Sequence, residues 1–279
     1  MSEIVMWGIP LRVDQLPEKD LEYLRMVAAR ERPSVEWVWE ELDRIWDMLA
    51  LDNSKALARQ DIGAFYSHPV WVVNGVFTAS DVASASHRRS IASFIVELGA
   101  NRIADYGGGF GELARQIAAH DSARQVDIVE PYPTRLAEHR ARAHTSIRFI
   151  PEFDGEYDCI VAQDLLEHVE QPLEVTERLS KATKIGGHLV IASCYFPVIK
   201  CHLPDNFYLR YTYSWVVRGL GLQFVGKVPG AEHALVFRRV GSVDAERLRR
   251  LDAAAKIIGP WMNRLRPIAA GIKRRLRGQ

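Results

Sequence analysis

The sequence predicts an α/β protein built on a doubly wound, mostly parallel sheet. Over residues 102–193, short apolar segments alternate with helical patterns, and near-continuous apolar strands are typical of a parallel sheet covered on both faces. A glycine-rich stretch, "DYGGGFG" at 105–111, separates one such strand from the next helix. Near the end of the chain, two further strands are joined by a short turn and must therefore be antiparallel.

Seven segments have the composition and length of strands. The predicted strands are 102–106, 125–130, 146–150, 157–162, 187–193, 222–228 and 233–240. The first five are separated by helical segments, which predicts parallel neighbours. The last two flank the turn "PGAE" and predict a terminal hairpin.

Residues 1–79 are predicted to form a helical region outside the sheet. In "SVEWVWEELDRIWDML", apolar residues from Val35 to Leu49 recur every three or four positions and define one face of a helix. Ser34 is a suitable N-cap for that helix. We expect this region to be either an appendage of the larger domain or a lid over its substrate cleft.

The segment before the predicted sheet contains two residues that disfavour regular structure. Residues 68–77 are apolar, but Pro69 and Gly75 interrupt them, so we predict a connection there. A helix is predicted to follow from about Ser80 to Leu98. The sheet domain is accordingly placed at residues 80–240.

Composition and charge are those of an ordinary globular protein with an unusual end. Hydrophobic residues make up 48% of the 279 residues, and the formal net charge is +1. Residues 241–279 carry ten Lys and Arg against three Asp and Glu, a net charge of +7. The preceding 240 residues therefore carry about −6. A nucleic-acid partner is not expected, because residues 1–240 are net negative and phosphate binding needs clustered cations.

The basic end is predicted to be an amphipathic tail. Its cations are interleaved with apolar residues, and Pro260 and Pro267 are expected to break it into short helices. The tail either packs on the domain, stays solvated, or lies in a membrane interface, where each cation near anionic lipid contributes roughly 1 kcal/mol. A protein or RNA partner is a further alternative.

Cysteine usage and the absence of targeting patterns favour a cytoplasmic protein. The three cysteines form no CxxC pair, and an odd number cannot be fully paired within one chain. The N-terminus lacks the pattern of a secretory signal, and no apolar run reaches about 18 residues. Contact with the inner membrane face through the basic tail is a second expectation.

The glycine-rich stretch is predicted to bind a nucleotide-like cofactor. It follows a strand and opens a helix at Gly111, where such ligands bind in doubly wound sheets. Counted from Gly107 and Gly109, a dinucleotide fingerprint would place its third glycine at 112. Glu112 occupies that position, and its carboxylate would repel a pyrophosphate. NAD is therefore the less favoured cofactor.

The spacing Asp105-x-Gly107-x-Gly109-x-Gly111 resembles the first motif of class I S-adenosylmethionine-dependent methyltransferases. The resemblance covers about residues 80–240 and implies a seven-stranded sheet with S-adenosylmethionine as cofactor. It also implies that the glycines let the backbone lie against the amino-acid part of the cofactor. Asp105 would attract the ammonium group of that part.

Two further segments fit the same family. Glu130 ends the second strand, where the resemblance implies an acid that accepts both ribose hydroxyls. Pro131 and Tyr132 would line the adenine side. Gln163 and Asp164 end the fourth strand in "YDCIVAQDLLEHV" and would lie beside the methionine part.

Two histidines are the candidates for activating the methyl acceptor. A hydroxyl acceptor needs a base, and His202 is predicted as that base within the aromatic-rich segment 194–215, unless this segment is only a structural loop. His168 either takes part in catalysis or caps and packs the following helix. The run Asp164, Glu167, His168 also resembles metal-binding positions in some quinone and small-RNA methyltransferases, but no metal is assigned.

The predicted function is methyl transfer to a small-molecule or sugar or glycan acceptor, with O-methylation expected. Aromatic residues outside the core suit a bulky, partly apolar or glycosidic acceptor. A cofactor-binding module without turnover is the main alternative, and an NAD-dependent oxidoreductase is a weaker one. The sequence does not predict an oligomeric state.

Overall fold

The computed structural model describes residues 2–130 and 133–277 of the chain, with side chains up to residue 265 except that of Arg59. The strands are β1 (Glu3–Met6), β2 (Ile9–Arg12), β3 (Arg102–Tyr106), β4 (Gln125–Val129), β5 (Ile147–Ile150), β6 (Tyr157–Gln163), β7 (Thr183–Ala192), β8 (Leu222–Val228) and β9 (Ala231–Arg239). The α-helices are α1 (Leu21–Ala28), α2 (Val35–Met48), α3 (Arg59–Tyr66), α4 (Val70–Ser80), α5 (Val82–Glu97), α6 (Glu112–His120), α7 (Arg135–Ala141), α8 (Pro172–Ala182), α9 (Tyr213–Val216) and α10 (Ala245–Arg277).

The central sheet confirms the predicted fold class. Its seven strands lie in the order β5-β4-β3-β6-β7-β9-β8. The first five are parallel, whereas β9 is antiparallel to both β7 and β8. The order reverses between β3 and β6, and such a reversal is where doubly wound sheets open a ligand crevice.

Apolar side chains cover both faces of this sheet. On one face, Ile91 and Ile95 of α5 and Ile117 of α6 are buried against the strands. On the other face, Leu179 of α8 and Val216 of α9 are buried in the same way. This two-sided burial explains why the strands read as near-continuous apolar segments.

The N-terminal region contains helices as predicted, together with a hairpin that was not predicted. Strands β1 and β2 pair antiparallel, with Met6 opposite Ile9 across a two-residue turn. Met6 and Leu11 are fully buried in a cluster that also contains Leu136 of α7. The region therefore shares a core with the sheet domain.

The prediction of a connection at residues 68–77 is wrong, because α4 occupies this segment. Pro69 lies at the N-cap of α4, where its missing N–H removes no helical hydrogen bond. Gly75 lies in the helix interior at a point of close approach. A Cβ there would lie 2.9 Å from the ring of Phe110, so only glycine fits without displacing that ring.

The prediction that two prolines break the basic tail is also wrong. Helix α10 continues through Pro260 and Pro267. A proline removes one backbone hydrogen bond, so tertiary contacts must hold the helix. Gly259 provides such a contact, since a Cβ on it would collide with the backbone of Tyr208. Among the described helices, none has both the length and the apolar composition needed to cross a membrane.

Candidate functional site

The loops after three adjacent strands meet at one edge of the sheet. Tyr106, the last residue of β3, pairs with Val129 of β4 on one side and with Ala162 of β6 on the other. The backbone N–H of Gly107 donates to the carbonyl of Val129 over 3.1 Å. The residues at and just after the ends of these strands therefore lie side by side. They are Gly107 to Gly111, Glu130, and Gln163 with Asp164.

The glycine-rich loop leaves space beside its backbone. Gly109 has a φ of +51°, and a Cβ built on it would have no other atom within 4 Å. Gly111 has a φ of +72° as the N-cap of α6, and a Cβ there would lie 2.8 Å from the side chain of Ile128. A Cβ on Gly107 would collide with the side chain of Leu165. The loop therefore packs closely against side chains of the domain at Gly107 and Gly111, whereas the space beside Gly109 is empty of other described atoms.

Asp105 places a buried carboxylate beneath this loop. Its side chain is 2% exposed, and its Oδ2 atom has no hydrogen-bond partner among the described residues. A Cβ on Gly108 would lie 2.5 Å from that oxygen, so the loop lies directly over it. Burial raises the pKa of Asp105 to about 7, and the nearby Arg88 partly opposes this rise. An unpartnered carboxylate oxygen beside an open backbone fits an ammonium-bearing cofactor.

Glu130 and Asp164 occupy the neighbouring strand ends. The backbone N–H of Glu130 donates to the carbonyl of Ile150 over 2.9 Å, and its side chain is half-buried. Asp164 has a φ of +50°, which is unfavourable for an aspartate and is typical of constrained functional positions. The backbone N–H of Asp164 donates to the carbonyl of Ala192 over 2.8 Å, which fixes this conformation.

Asp164 combines an exposed side chain with a raised pKa. The surrounding protein, and after it the nearby Glu167 carboxylate, raises the pKa of Asp164 to about 7. Gln163 forms a side-chain hydrogen bond with it. Pro131 and Tyr132, predicted on the adenine side, lie outside the described residues.

Sequence reasoning missed a buried cation at this site. Arg88 of α5 is 7% exposed and donates from Nη2 to the carbonyl of Thr78 over 2.5 Å. Its charge acts on both Asp105 and Asp164, where it favours the ionised carboxylates. An arginine within a helical pattern normally indicates a solvated face, so the sequence carried no signal for this role.

A second cluster brings the two predicted histidines together with a carboxylate. The rings of His168 and His202 are 4.9 Å apart between centroids. Ligand atoms of Glu167, His168 and His202 all lie within 4.8 Å of one another. Glu167 is 1% exposed, and its Oε1 atom accepts a hydrogen bond from the backbone N–H of Cys194 over 2.9 Å. Its Oε2 atom has no partner among the described residues.

Both imidazoles are oriented by backbone carbonyls. Nδ1 of His168 lies 3.1 Å from the carbonyl of Cys201, and Nδ1 of His202 lies 2.9 Å from that of Phe196. A carbonyl only accepts, so each Nδ1 carries the proton and each Nε2 keeps its lone pair. Burial lowers the pKa of His168 to about 4 and also lowers the pKa of His202. The neutral rings can accept a proton or, with Glu167, hold a divalent ion.

Aromatic residues of the N-terminal region form one wall of this cluster. The ring of Tyr66 lies 6.5 Å from that of His168, and the ring of Trp71 lies 6.2 Å away. Cys201, whose carbonyl orients His168, is buried among the helices of the same region. The region thus contacts the part of the sheet domain that holds both histidines.

The sheet order, the glycine-rich loop and the acids at the strand ends define a Rossmann-like methyltransferase domain. Residues 83–215 match the family described as a methyltransferase domain. The central domain is therefore a methyltransferase domain of the class I, S-adenosylmethionine-dependent type. The predicted family is confirmed, and S-adenosylmethionine is the cofactor of this class.

Known proteins that are similar to this chain include O-methyltransferases. A ubiquinone biosynthesis O-methyltransferase from Pectobacterium carotovorum subsp. carotovorum (strain PC1) is 25% identical over an alignment of 142 residues, which covers 47% of this chain and 54% of that protein. The match thus spans about half the length of this curated relative.

Two solved structures share the fold. An O-methyltransferase family protein from Burkholderia thailandensis has a TM-score of 0.52 at 18% identity, covering 74% of this chain and 70% of its own. A 1,6-didemethyltoxoflavin-N1-methyltransferase from the same organism, solved with 1,6-didemethyltoxoflavin and S-adenosylhomocysteine, has a TM-score of 0.50 at 16% identity, covering 67% and 92%. At these identities, the likeness shows the fold alone.

Proposed function

We propose that the protein is an S-adenosylmethionine-dependent methyltransferase that methylates an oxygen of a small-molecule, sugar or glycan acceptor. The observation that carries this proposal has two parts. The pairing of β3 with β6 brings the glycine-rich loop and Asp164 to one edge of the sheet. His168 follows Asp164 closely in the chain, and its ring lies 4.9 Å from that of His202. S-adenosylmethionine supplies an electrophilic methyl group. The chain's own residues must bind the cofactor, align the acceptor and take up its proton.

The cofactor residues receive distinct roles in this proposal. Asp105 would hold the ammonium group, because its Oδ2 atom lacks another partner among the described residues. The carboxylate of Glu130 would accept the two ribose hydroxyls. Gln163 and Asp164 would border the methionine part, and Pro131 the adenine side.

His202 would take the proton of the acceptor hydroxyl. Its Nδ1 atom is committed to the carbonyl of Phe196, which leaves the lone pair of Nε2 for the acceptor. The lowered pKa keeps this ring neutral near pH 7, as a base requires. His168 would support it from the adjacent position. The names of two relatives that contain "O-methyltransferase" support oxygen as the methylated atom.

The N-terminal region would act as a lid that shields the acceptor from water. Two contacts support this role, the approach of Gly75 to Phe110 and the packing of Trp71 beside His168. A cytoplasmic location is part of the same proposal. Its support is that Cys159, Cys194 and Cys201 are all unpaired.

Two measurements test the proposed function. Calorimetry should show binding of S-adenosylhomocysteine and none of NAD; the reverse result would eliminate a methyltransferase. Fractions of cell extract incubated with the protein and radiolabelled S-adenosylmethionine should yield a labelled product that is stable to base, as a methyl ether is. Cofactor binding without any labelled product across all fractions would favour the module without turnover.

A further inference from the structure

Helix α10 has an apolar stripe that the domain does not cover. Ile257, Trp261 and Leu265 are 60–70% exposed, and Ile258 beside them is 44% exposed. Residues spaced by four positions lie on one side of a helix, so these side chains form a continuous exposed surface. We call these four residues the outer stripe.

The opposite side of the same helix is firmly docked. A Cβ on Gly219 would lie 2.5 Å from the Cα of Leu248, and Ala255 is fully buried. The side-chain amide of Asn263 donates to the carbonyl of Phe207 over 2.8 Å. The helix is thus held on the domain by one face while the outer stripe points away from it.

Cations flank the outer stripe. The guanidinium of Arg264 lies 5.8 Å from the centre of the Trp261 ring, and the exposed Arg250 lies on the same side about three turns before Trp261. Residues 241–279 carry ten cations against three acids, whereas the rest of the chain is net negative. The stripe therefore combines exposed apolar side chains with a local excess of positive charge.

We propose that the outer stripe docks the protein on an anionic membrane surface. Apolar side chains would enter the boundary of headgroups and acyl chains, and the flanking cations would meet anionic headgroups. A helix of 33 residues is about 50 Å long and can lie along such a surface. A second copy of the chain is a poorer occupant, because two tails of net charge +7 would repel each other.

Docking in this way would also orient the site. Helix α10 packs on the short helix Pro204–Arg210, which begins two residues after His202. The part of the domain that holds the histidine pair would therefore lie near the membrane, on the domain side of α10. This inference does not depend on methyl transfer, so the failure of one proposal would leave the other unaffected.

Vesicle cosedimentation of the full chain tests the proposal. We expect binding to vesicles in which about one third of the lipid is phosphatidylglycerol and the rest phosphatidylcholine. Binding to vesicles of pure phosphatidylcholine should be weak, and binding to the anionic vesicles should be lost as the salt concentration is raised. The double variant Ile257→Ser with Trp261→Ser should weaken binding at least about tenfold. Arg264→Glu should weaken it by at least about fivefold, since one cation near anionic lipid contributes about 1 kcal/mol.

The matched control is Ile185→Ser, which changes an isoleucine that is 63% exposed on β7. It should bind vesicles like the unchanged chain, and all variants should keep the same circular dichroism and melting temperature within a few degrees. Absence of binding to anionic vesicles at low salt would overturn the proposal. So would equal loss of binding in Ile185→Ser, or a dimer in solution that Ile257→Ser with Trp261→Ser dissociates.

Discussion

Gly75 of α4 and Phe110 of the glycine-rich loop are in direct contact, with no room between them for a side-chain carbon. A Cβ on Gly75 would lie 2.9 Å from the Phe110 ring. This contact joins the N-terminal region to the loop that is proposed to carry the cofactor. A change at Gly75 should therefore alter cofactor binding through the Phe110 ring.

We predict that Gly75→Ala weakens binding of S-adenosylhomocysteine about tenfold, because overpacking of about 1–3 kcal/mol would displace the Phe110 ring and with it the loop. Isothermal titration calorimetry measures the effect. Gly63→Ala is the matched control, since this helical glycine has no atom within 4 Å of its Cβ position. In Gly75→Ala with Phe110→Ala, most of the affinity should return; an equal loss in the double variant would show that the contact is not the cause.

The open side of the loop gives a second prediction. Gly109→Ala should abolish or weaken S-adenosylhomocysteine binding by more than about tenfold, because the new methyl group enters the space beside the backbone. Gly99→Ala is its control: both glycines have a positive φ and an empty Cβ position, but Gly99 lies at the far end of α5. Each variant should lose about 1–2 kcal/mol of stability. Equal affinities in the two variants would place the cofactor elsewhere.

The sheet could be predicted because its signals are local. Strand β3, the loop after it and α6 each have their own pattern in the sequence, and the terminal hairpin follows from a short turn. The β1–β2 hairpin lacked such a signal. Its two-residue turn consists of Trp7 and Gly8, and Trp7 adopts a φ of +49° that a tryptophan rarely takes.

The missing parts of the site depend on contacts between distant residues. The sequence named Glu167 and His168 in one run with Asp164, but not their approach to His202, which is distant along the chain. Arg88 reaches the cofactor side only because α5 packs with that face inward. No periodicity or spacing in the sequence indicates these contacts. The spacing of Asp105 and its glycines, in contrast, is contained in one short motif and can be recognised directly.

Asp105 should make the free protein less stable as the pH rises. Its pKa is about 7 in the folded protein and 3.8 ordinarily, so the folded state holds the proton more tightly than the unfolded state. The contribution of this group to stability therefore falls between about pH 4 and pH 7 and is level on either side. We predict that Asp105→Asn removes this slope and gains stability relative to the unchanged chain at pH 8 but not at pH 4.

Urea unfolding at the two pH values measures that difference, with the cofactor absent. The same variant should bind S-adenosylhomocysteine poorly at pH 8, because the amide cannot attract an ammonium group as a carboxylate does. A stability difference that is the same at both pH values would contradict the raised pKa. Normal binding would contradict the proposed role of Asp105.

The histidine pair gives the last prediction, which concerns turnover rather than binding. We expect His202→Ala to lower kcat about 100-fold or more, the size of a lost general base, and to leave the affinity for S-adenosylhomocysteine within about twofold. His120→Ala, at the end of α6 away from the pair, should change neither. Equal loss of affinity and turnover in His202→Ala would indicate a folding role.

The same variants distinguish a base from a metal ion held by Glu167, His168 and His202. If His202 acts as the base, a chelator leaves kcat unchanged, and kcat rises with pH through a pKa below the ordinary 6.5, because burial lowers the pKa of this ring. If the three side chains hold an ion, the chelator abolishes turnover, and Glu167→Gln has the same effect as His202→Ala, since a neutral amide is a poor ligand.

We expect the first outcome, in which His202 acts as the base. Glu167→Gln should then retain more activity than His202→Ala, because the Glu167 carboxylate acts only through the neighbouring imidazoles. A chelator-sensitive enzyme whose activity returns with added divalent ion would contradict it.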